Sequence, residues 1–397
     1  MRARDGGRMD EVVIVGAART PIGSFNGSLA GIPATRLGSL AAAEVVRRAG
    51  IPSERVDDVI FGTVVAAGQG QAPARQVALG AGIPVAVPAL TINKVCGSGL
   101  MAVVLAANRI QLGEAQVVLA GGMENMSRTP FLLERSGSPK PGDRRLTDSM
   151  FRDGLLDPYR GMTMGECGEL CAARFGFDRK AQDDYAVESY RRALTAQAEG
   201  RFTAEILPVP GERGEWALTE DEEPKRADLE KLRRLRPAFK QDGTLTAGNS
   251  PSINDGAAAV LVAAAGRAEE LRVRPLARIV ASAGAATEPE WFTIAPIEAI
   301  RRLLAKAGWE RDQVDLFEIN EAFAVVAMAA IQELGLDPAR VNVNGGAVAL
   351  GHPIGATGAR LLVTLLAALR ARELRRGVAA LCLGGGEAIA LAVEVGP

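Results

Sequence analysis

The chain has 397 residues, 48% of them hydrophobic and 4% aromatic, and its 46 Lys and Arg against 47 Asp and Glu leave a net charge of −1. That balance gives no electrostatic footprint for nucleic acid, and no apolar run reads as long enough to span a membrane. The length exceeds one ordinary core and predicts two or three domains.

Residues 1–8 are polar and mixed in charge, without the apolar stretch of a secretory signal. They read as a leader or a misassigned start, because Met9 opens the first strand. A cytoplasmic protein is expected. Such a chain does not use its four cysteines as a disulfide framework. With one histidine, a zinc site is short of ligands, so no metal is expected.

Residues 11–16 read as a strand and 17–21 as a turn, without the glycine pattern of a dinucleotide fold. Residues 33–49 form an amphipathic helix with Leu37, Leu40, Ala41 and Val45 inward. A strand at 59–65 and a helix at 73–80 follow. Residues 89–92 read as a short buried strand leading into Asn93-Lys94-Val95-Cys96-Gly97-Ser98-Gly99. The next helix carries Leu100, Val103, Val104, Ala107 and Ile110 on one stripe, and 116–122 is another strand. The alternation predicts an α/β sheet.

From 123 to 242 the pattern turns irregular. A loop is expected at 136–145, a solvated charge-rich stretch at 211–228, and helices at 165–174 and 179–198. Cys167 and Cys171 share a face of the first helix and read as core packing. Regular pattern resumes with strands at 257–264 and 278–285, a helix at 296–307, a strand at 314–319 and a helix at 322–334. A short strand at 341–343, a helix at 356–372 and strands at 378–383 and 388–395 complete the chain.

The two ends repeat. Ala49-Gly50 before Val56-Asp57 matches Ala307-Gly308 before Val314-Asp315. Cys96-Gly97-Ser98-Gly99 echoes Gly355-Ala356-Thr357-Gly358, and Leu119-Ala120-Gly121-Gly122 echoes Cys382-Leu383-Gly384-Gly385. Duplication predicts two similar domains whose equivalent helix N-termini face one cleft. The expected domains are 1–122 with 243–273, an inserted 123–242, and 274–397.

Cys96 sits where a strand turns into a helix, among small residues. A helix N-terminus favours a thiolate and lowers a cysteine pKa, as a nucleophile requires. The same position also suits a buried, inert thiol. His352, the single histidine, lies in a glycine-rich turn rather than on an apolar stripe. Imidazole titrates near neutrality and can take the Cys96 proton. Cys382 ends a strand beside Gly384-Gly385-Gly386, whose exposed N–H groups suit an oxyanion hole, although an ordinary strand cysteine reads the same way. Asn320 precedes Glu321-Ala322-Phe323 and fits either a polar orienting role or a helix N-cap.

These four motifs, in this order and spacing, resemble the thiolase family of acyl-CoA acetyltransferases over essentially the full length. Arg19-Thr20-Pro21-Ile22-Gly23, Arg236-Pro237-Ala238-Phe239 and Thr246-Ala247-Gly248-Asn249 extend the resemblance. It implies a thiolase fold: duplicated βαβαβ-type halves in a layered α/β sandwich with a buried helix layer and an inserted loop domain over the site. It implies Cys96 as the nucleophile that takes the acyl group, with His352 activating it and helping to bind the thioester oxygen. Cys382 would move the α-carbon proton. Asn320 would hold a water in one oxyanion hole, and the N–H groups of Cys96 and Gly384 would form the other. Coenzyme A is then a substrate and no bound cofactor is expected. Leu155, Met164, Phe239, Ala247 and Phe323 would line its pantetheine tunnel, with Lys225 and Arg226 at the nucleotide end.

The implied reaction joins two acyl thioesters reversibly, in ping-pong order, within fatty acid and lipid metabolism. It needs a covalent acyl carrier and a separate base, because one thiolate cannot do both. A homodimer or homotetramer is expected. Thr163 stands where many short-chain members have histidine, Pro251 where many have serine, and Glu387 where several have methionine or glutamine. Ketoacyl synthases and related condensing enzymes are the nearest alternative. One histidine cannot supply their Cys-His-His set, and Cys382 in a glycine turn favours a thiolase over their Cys-His-Asn set. A non-catalytic lipid carrier predicts loss of Cys96, His352 or Cys382, and all three are present.

Overall fold

The computed structural model describes residues 10–135, 143–211 and 215–396. The leader and Met9, residues 136–142 of the expected loop and 212–214 of the charge-rich stretch lie outside the described residues.

Nine strands carry the framework: β1 (Val12–Arg19), β2 (Asp58–Gly62), β3 (Ala89–Ile92), β4 (Val117–Asn125), β5 (Asn254–Ala264), β6 (Ala277–Ala286), β7 (Leu316–Ile319), β8 (Arg376–Leu383) and β9 (Glu387–Glu394). The principal helices are α1 (Ala34–Ala49), α2 (Pro73–Gly80), α3 (Ser98–Gln111), α4 (Met164–Phe175), α5 (Arg179–Ala198), α6 (Ala295–Ala307), α7 (Ala324–Leu334) and α8 (Ile354–Ala371). The first strand runs through Arg19, past the turn expected at 17–21, because β5 pairs with it as far as Arg19↔Ala258.

The strands form one ten-stranded sheet in the order β7-β8-β9-β6-β1-β5-β4-β2-β3, with Gly23–Ser24 added on β5. Its midline is thin. β1 and β6 share only the pairs Val13↔Arg278 and Ile14↔Ala277. On either side lie matching half-sheets, each with an antiparallel pair next to parallel strands. The strand expected at 341–343 is instead a single bridge, Phe317↔Val341. Asn342 takes φ 48°, and its side chain does the pairing. Its Oδ1 accepts from Ile319 N at 2.8 Å and its Nδ2 donates to Ile319 O at 2.9 Å. β3 is an edge strand and is mostly half-exposed, where the sequence suggested a buried one.

β4 and β5 are buried along their whole length, as strands covered on both faces must be. Alternate residues of β5 serve two cores. Ala257, Ala259 and Leu261 face α1 and α2, while Ala258, Val260 and Val262 face α3 and α8. α3 and α8 therefore form a middle layer that touches both half-sheets, and α6 with α7 covers the second half. α8 is the one helix among the described residues long and apolar enough to cross a membrane, and 83% of that span is buried inside the fold.

The two middle helices cross at their first turns. A Cβ on Gly99 would lie 2.7 Å from Ala359 N, and one on Gly358 would lie 2.5 Å from Leu100 N. The contact is reciprocal, and only glycine allows it. It brings the residues just before each helix, Cys96 and His352, to the same end of the layer.

Candidate active site

The nucleophile turn is strained. Val95, a β-branched residue, is held at φ 47°, a conformation such side chains avoid. Local hydrogen bonds hold it there. Val95 N donates to Asn93 Oδ1 at 2.9 Å, and the Ser98 hydroxyl donates to Val95 O at 2.7 Å while accepting from Lys94 N at 2.8 Å. Cys96 is consequently pushed out of line with β3 and keeps part of its surface open.

The glycine turn after β8 meets it. The N–H groups of Gly384 and of Cys96 itself lie near enough to the Cys96 sulfur to favour its thiolate. These are the two donors expected for an oxyanion hole. Cys382 lies near enough for its charge and that of Cys96 to oppose each other. Lys94 pairs with Glu387, joining the two turns.

The thiol chemistry differs from the expectation. Burial pushes the Cys96 thiol up to about 11 and outweighs the two N–H donors, and the Glu124 charge adds to the rise. A helix N-terminus alone does not produce a resting thiolate here. Cys382 is raised well above an ordinary thiol, again by burial and then by Cys96.

His352 is buried and fixed from three sides. Its N–H donates to Asn254 Oδ1 at 2.9 Å. Gly351 before it has φ 101°, and a Cβ there would collide with the Asn254 amide. Its Nδ1 is 2.7 Å from the Thr357 hydroxyl, which donates onward to Pro353 O at 2.9 Å. Thr357 therefore accepts from Nδ1–H, and that assignment leaves Nε2 as a bare acceptor. Asn320 Nδ2 lies 3.5 Å from Nε2. Burial, and then the charge of Arg360, pulls the imidazole down to about 3, so it is a neutral acceptor rather than a group titrating near neutrality. Asn320 Oδ1 is buried without a hydrogen-bond partner among the described residues, which suits a polar guest such as water. Asn320 does not cap α7, whose N-cap position is Phe323.

Three supports were not legible as such in the sequence. Buried Glu124 accepts from Val64 N (2.9 Å), Val65 N (3.2 Å), Gly355 N (3.0 Å) and the Thr63 hydroxyl (3.2 Å), tying the end of β2 to the start of α8. Its carboxyl is raised to about 7 by burial. Glu321 accepts from Tyr185, Ser189, Asn342 and Val348 N, fastening α5 of the insertion to the loop before His352. Asn254 is the third. The only sequence signal for these was their place beside quoted motifs.

The expected substrate-lining residues divide. Met164 opens α4 with its sulfur 3.8 Å from where a Gly384 Cβ would be. Thr163 ahead of it closes a capping box with Glu166, which gives this departure from the family pattern a helix-capping role. Leu155 packs in one cluster with Cys96 and Ile354. Phe239 and Phe323 meet edge to face at 5.7 Å. Ala247 and Arg226 are exposed. Lys225 pairs with Glu220 at 2.6 Å. No group of three or more His, Cys, Asp or Glu among the described residues is placed to hold a metal.

Two family models match the chain: the thiolase N-terminal domain over residues 12–266 and the thiolase C-terminal domain over 273–395. Acetyl-CoA acetyltransferase 2 of Arabidopsis thaliana is 52% identical over 391 residues, 97% of either chain. The acetyl-CoA acetyltransferase of Cupriavidus necator is 49% identical and covers 97% of this chain and 100% of its own. Among solved structures, the Acat5 thiolase of Ascaris suum in complex with coenzyme A superposes with TM-score 0.92 at 44% identity, covering 97% of this chain and 100% of that one. The Bacillus anthracis acetyl-CoA acetyltransferase superposes with TM-score 0.94 at 40% identity, covering 98% and 99%.

Proposed function

This chain belongs to the thiolase family and is a CoA-dependent acyltransferase, and on that premise we propose that it runs the reversible condensation of acyl-CoA with acetyl-CoA through an acyl-Cys96 intermediate. The observation that carries the proposal is the Gly384 N–H near the Cys96 sulfur, with Cys382 close by at the end of β8.

The first half-reaction begins with a thiol. A sulfur near pKa 11 is protonated at neutral pH, so its proton leaves for His352 Nε2 as the sulfur attacks the thioester carbonyl. The oxyanion falls between the N–H groups of Cys96 and Gly384, where one preorganised donor contributes roughly 3 kcal/mol. CoA departs with the proton from Nε2, leaving the acyl group on Cys96.

In the second half-reaction Cys382, as its thiolate, takes the α-proton of acetyl-CoA, after its thiol proton has left to solvent at the equilibrium cost that burial sets. Asn320 Nδ2, 3.5 Å from His352 Nε2, faces the enolate oxygen as a donor, while Nε2 has given up its proton and does not donate. The enolate attacks acyl-Cys96, the C–C bond forms as the acyl C–S bond breaks, and the Cys96 thiolate takes the proton from Cys382, which returns to its thiolate. Thiolysis is the same path reversed. Two thiols with separate partners answer the need for a carrier and a base.

We propose further that coenzyme A is a substrate with no bound cofactor, that Leu155, Met164, Phe239 and Phe323 flank its pantetheine arm, and that the protein works in the cytoplasm as a homodimer or homotetramer. The half-exposed edge strand β3 is consistent with association.

The test is thiolysis by purified protein with excess CoA, comparing acetoacetyl-CoA with a long-chain 3-ketoacyl-CoA. We expect turnover of acetoacetyl-CoA, given relatives named acetyl-CoA acetyltransferase near 50% identity. Turnover of neither, with Cys96 still open to an alkylating agent, would overturn the assignment.

A further inference from the structure

We propose that Glu124 is a positioning residue that sets the Cys96 turn and the His352 turn against each other through one buried side chain. The inference rests on the reading of Cys96 and His352 as reaction partners.

Glu124 is the next-to-last residue of β4 and is fully buried. Its Oε2 accepts from Val64 N at 2.9 Å and from Gly355 N at 3.0 Å. A single atom therefore joins the loop after β2 to the first turn of α8. Its Oε1 accepts from the Thr63 hydroxyl and from Val65 N, each at 3.2 Å, which fixes the rotation of the carboxyl group.

Each hold continues to one of the two turns. On the nucleophile side, Val64 O accepts from Asn93 Nδ2 at 3.2 Å, and Asn93 Oδ1 accepts from Val95 N at 2.9 Å. Val95 is the strained residue, at φ 47°, immediately before Cys96. On the other side, Gly355 follows His352 by three residues and shares a helical turn with Thr357, whose hydroxyl lies 2.7 Å from Nδ1. A Cβ on Gly355 would lie 2.6 Å from Glu124 Oε2, so the helix start rests directly on the carboxyl group. The path from one turn to the other thus runs through Val95, Asn93, Val64, Glu124 and Gly355.

A carboxylate suits this place for two reasons. It offers two oxygens to four donors, and an acidic group is favoured at the first turn of a helix. An apolar residue of similar size would fill the space, but it would take the acceptor from buried N–H groups and break the tie between the turns. The length of the side chain then matters to the reaction. The proton passes between Cys96 and His352, and a misplacement of about 1 Å costs roughly 100-fold in rate.

The test separates reach from charge. Glu124→Asp keeps the charge and is shorter by one methylene, so it cannot hold Val64 N and Gly355 N together. We expect kcat of thiolysis to fall by about 100-fold with KM within about threefold. Glu124→Gln keeps the reach, with its amide oxygen in the place of Oε2 and its amide nitrogen donating to the Thr63 hydroxyl. It should hold kcat within about tenfold of the unaltered protein. Two readouts follow the turns without turnover. His352 is the single histidine of the chain, so its imidazole gives one set of signals in a histidine-labelled protein. Those signals should move in Glu124→Asp and stay in place in Glu124→Gln. Alkylation of Cys96 by iodoacetamide should slow by about threefold or more in Glu124→Asp, as the turn that holds the sulfur open relaxes. If Glu124→Asp does not fold, Asn93→Ala cuts the path on the nucleophile side alone. It should slow alkylation and leave the His352 signals in place, and unaltered alkylation there overturns the inference. A folded Glu124→Asp with unaltered kcat, His352 signals and alkylation overturns it too. So does a Glu124→Gln more damaging than Glu124→Asp, which would make charge the operative property. An unaltered protein without thiolysis, whose variants still show the shifted signals and slowed alkylation, would fault the functional reading and leave this one standing.

Discussion

The turns before α3 and α8 are built alike and do different work. In each, a hydroxyl in the first turn of the helix, at its first or fourth position, holds the turn from below. Ser98 donates to Val95 O and accepts from Lys94 N, and Thr357 donates to Pro353 O and accepts from His352 Nδ1. In each, a glycine one residue on admits the other helix. The difference lies in what surrounds them. The Cys96 turn opens beside an edge strand and stays partly exposed, whereas the His352 turn is closed in by Asn254, Asn320 and α8. Duplication supplied one helix-entry geometry twice. Burial then made one copy suited to carry an acyl group and the other suited to move a proton.

The sharpest way to separate the functions is to remove the thiols one at a time. Cys96→Ala should lower thiolysis by about four orders of magnitude or more, because no acyl carrier is left. Cys382→Ala should lower full turnover comparably yet still take up label from radioactive acetyl-CoA in a single turnover. If Cys382→Ala also fails to label, the division of labour between the two sulfurs is wrong.

The pH response of the two turns comes next in size. A Cys96 thiol near 11 predicts that alkylation of the free enzyme by iodoacetamide quickens about tenfold per pH unit from 7 to 10. The sign follows from the raised value: protons must leave before the sulfur reacts, and they leave only at high pH. A plateau below pH 8 would mean a resting thiolate and a protonated His352.

The hydroxyls test the symmetry itself. Thr357→Val keeps shape but removes the acceptor for Nδ1–H, so kcat should fall by about 10- to 100-fold with KM little changed. Ser98→Ala loosens the Val95 turn instead and should cost less, about tenfold or below, and show as lost stability as well. Equal losses from both would mean that Thr357 only shapes its turn.

The sequence made this comparison visible in part. The strands and helices stand out because they alternate by period, and the repeat Cys96-Gly97-Ser98-Gly99 with Gly355-Ala356-Thr357-Gly358 points to two helix N-termini at one cleft, though not to the crossing of the helices themselves. What escaped was set by partners distant in the chain. Asn342 replaces a strand through its side chain, which no β pattern records. The helix N-terminus near Cys96 suggested a thiolate, but the surrounding burial, a sum over several elements, decided otherwise. Glu124 and Asn254 act on loops more than fifty residues away, and sequence adjacency to a motif carries no such information.

The smallest effect concerns a side-chain bridge between the nucleophile turn and the glycine turn. Lys94 and Glu387 pair across them, with side chains 33% and 44% exposed. Solvent screens such a pair, so Glu387→Gln should alter stability by no more than about 1 kcal/mol. Its effect on activity should be a few-fold at most, because Gly384 N–H reaches Cys96 through backbone geometry that positive φ at Gly385 and Gly386 already fixes. The difference between the turns then becomes measurable. A surface ion pair beside Cys96 is dispensable, while the buried Thr357 hydroxyl on His352 Nδ1 is not. A loss in Glu387→Gln as large as that in Thr357→Val would place a specific electrostatic role on the open side as well, and the contrast between an accessible nucleophile and an enclosed base would have to be redrawn.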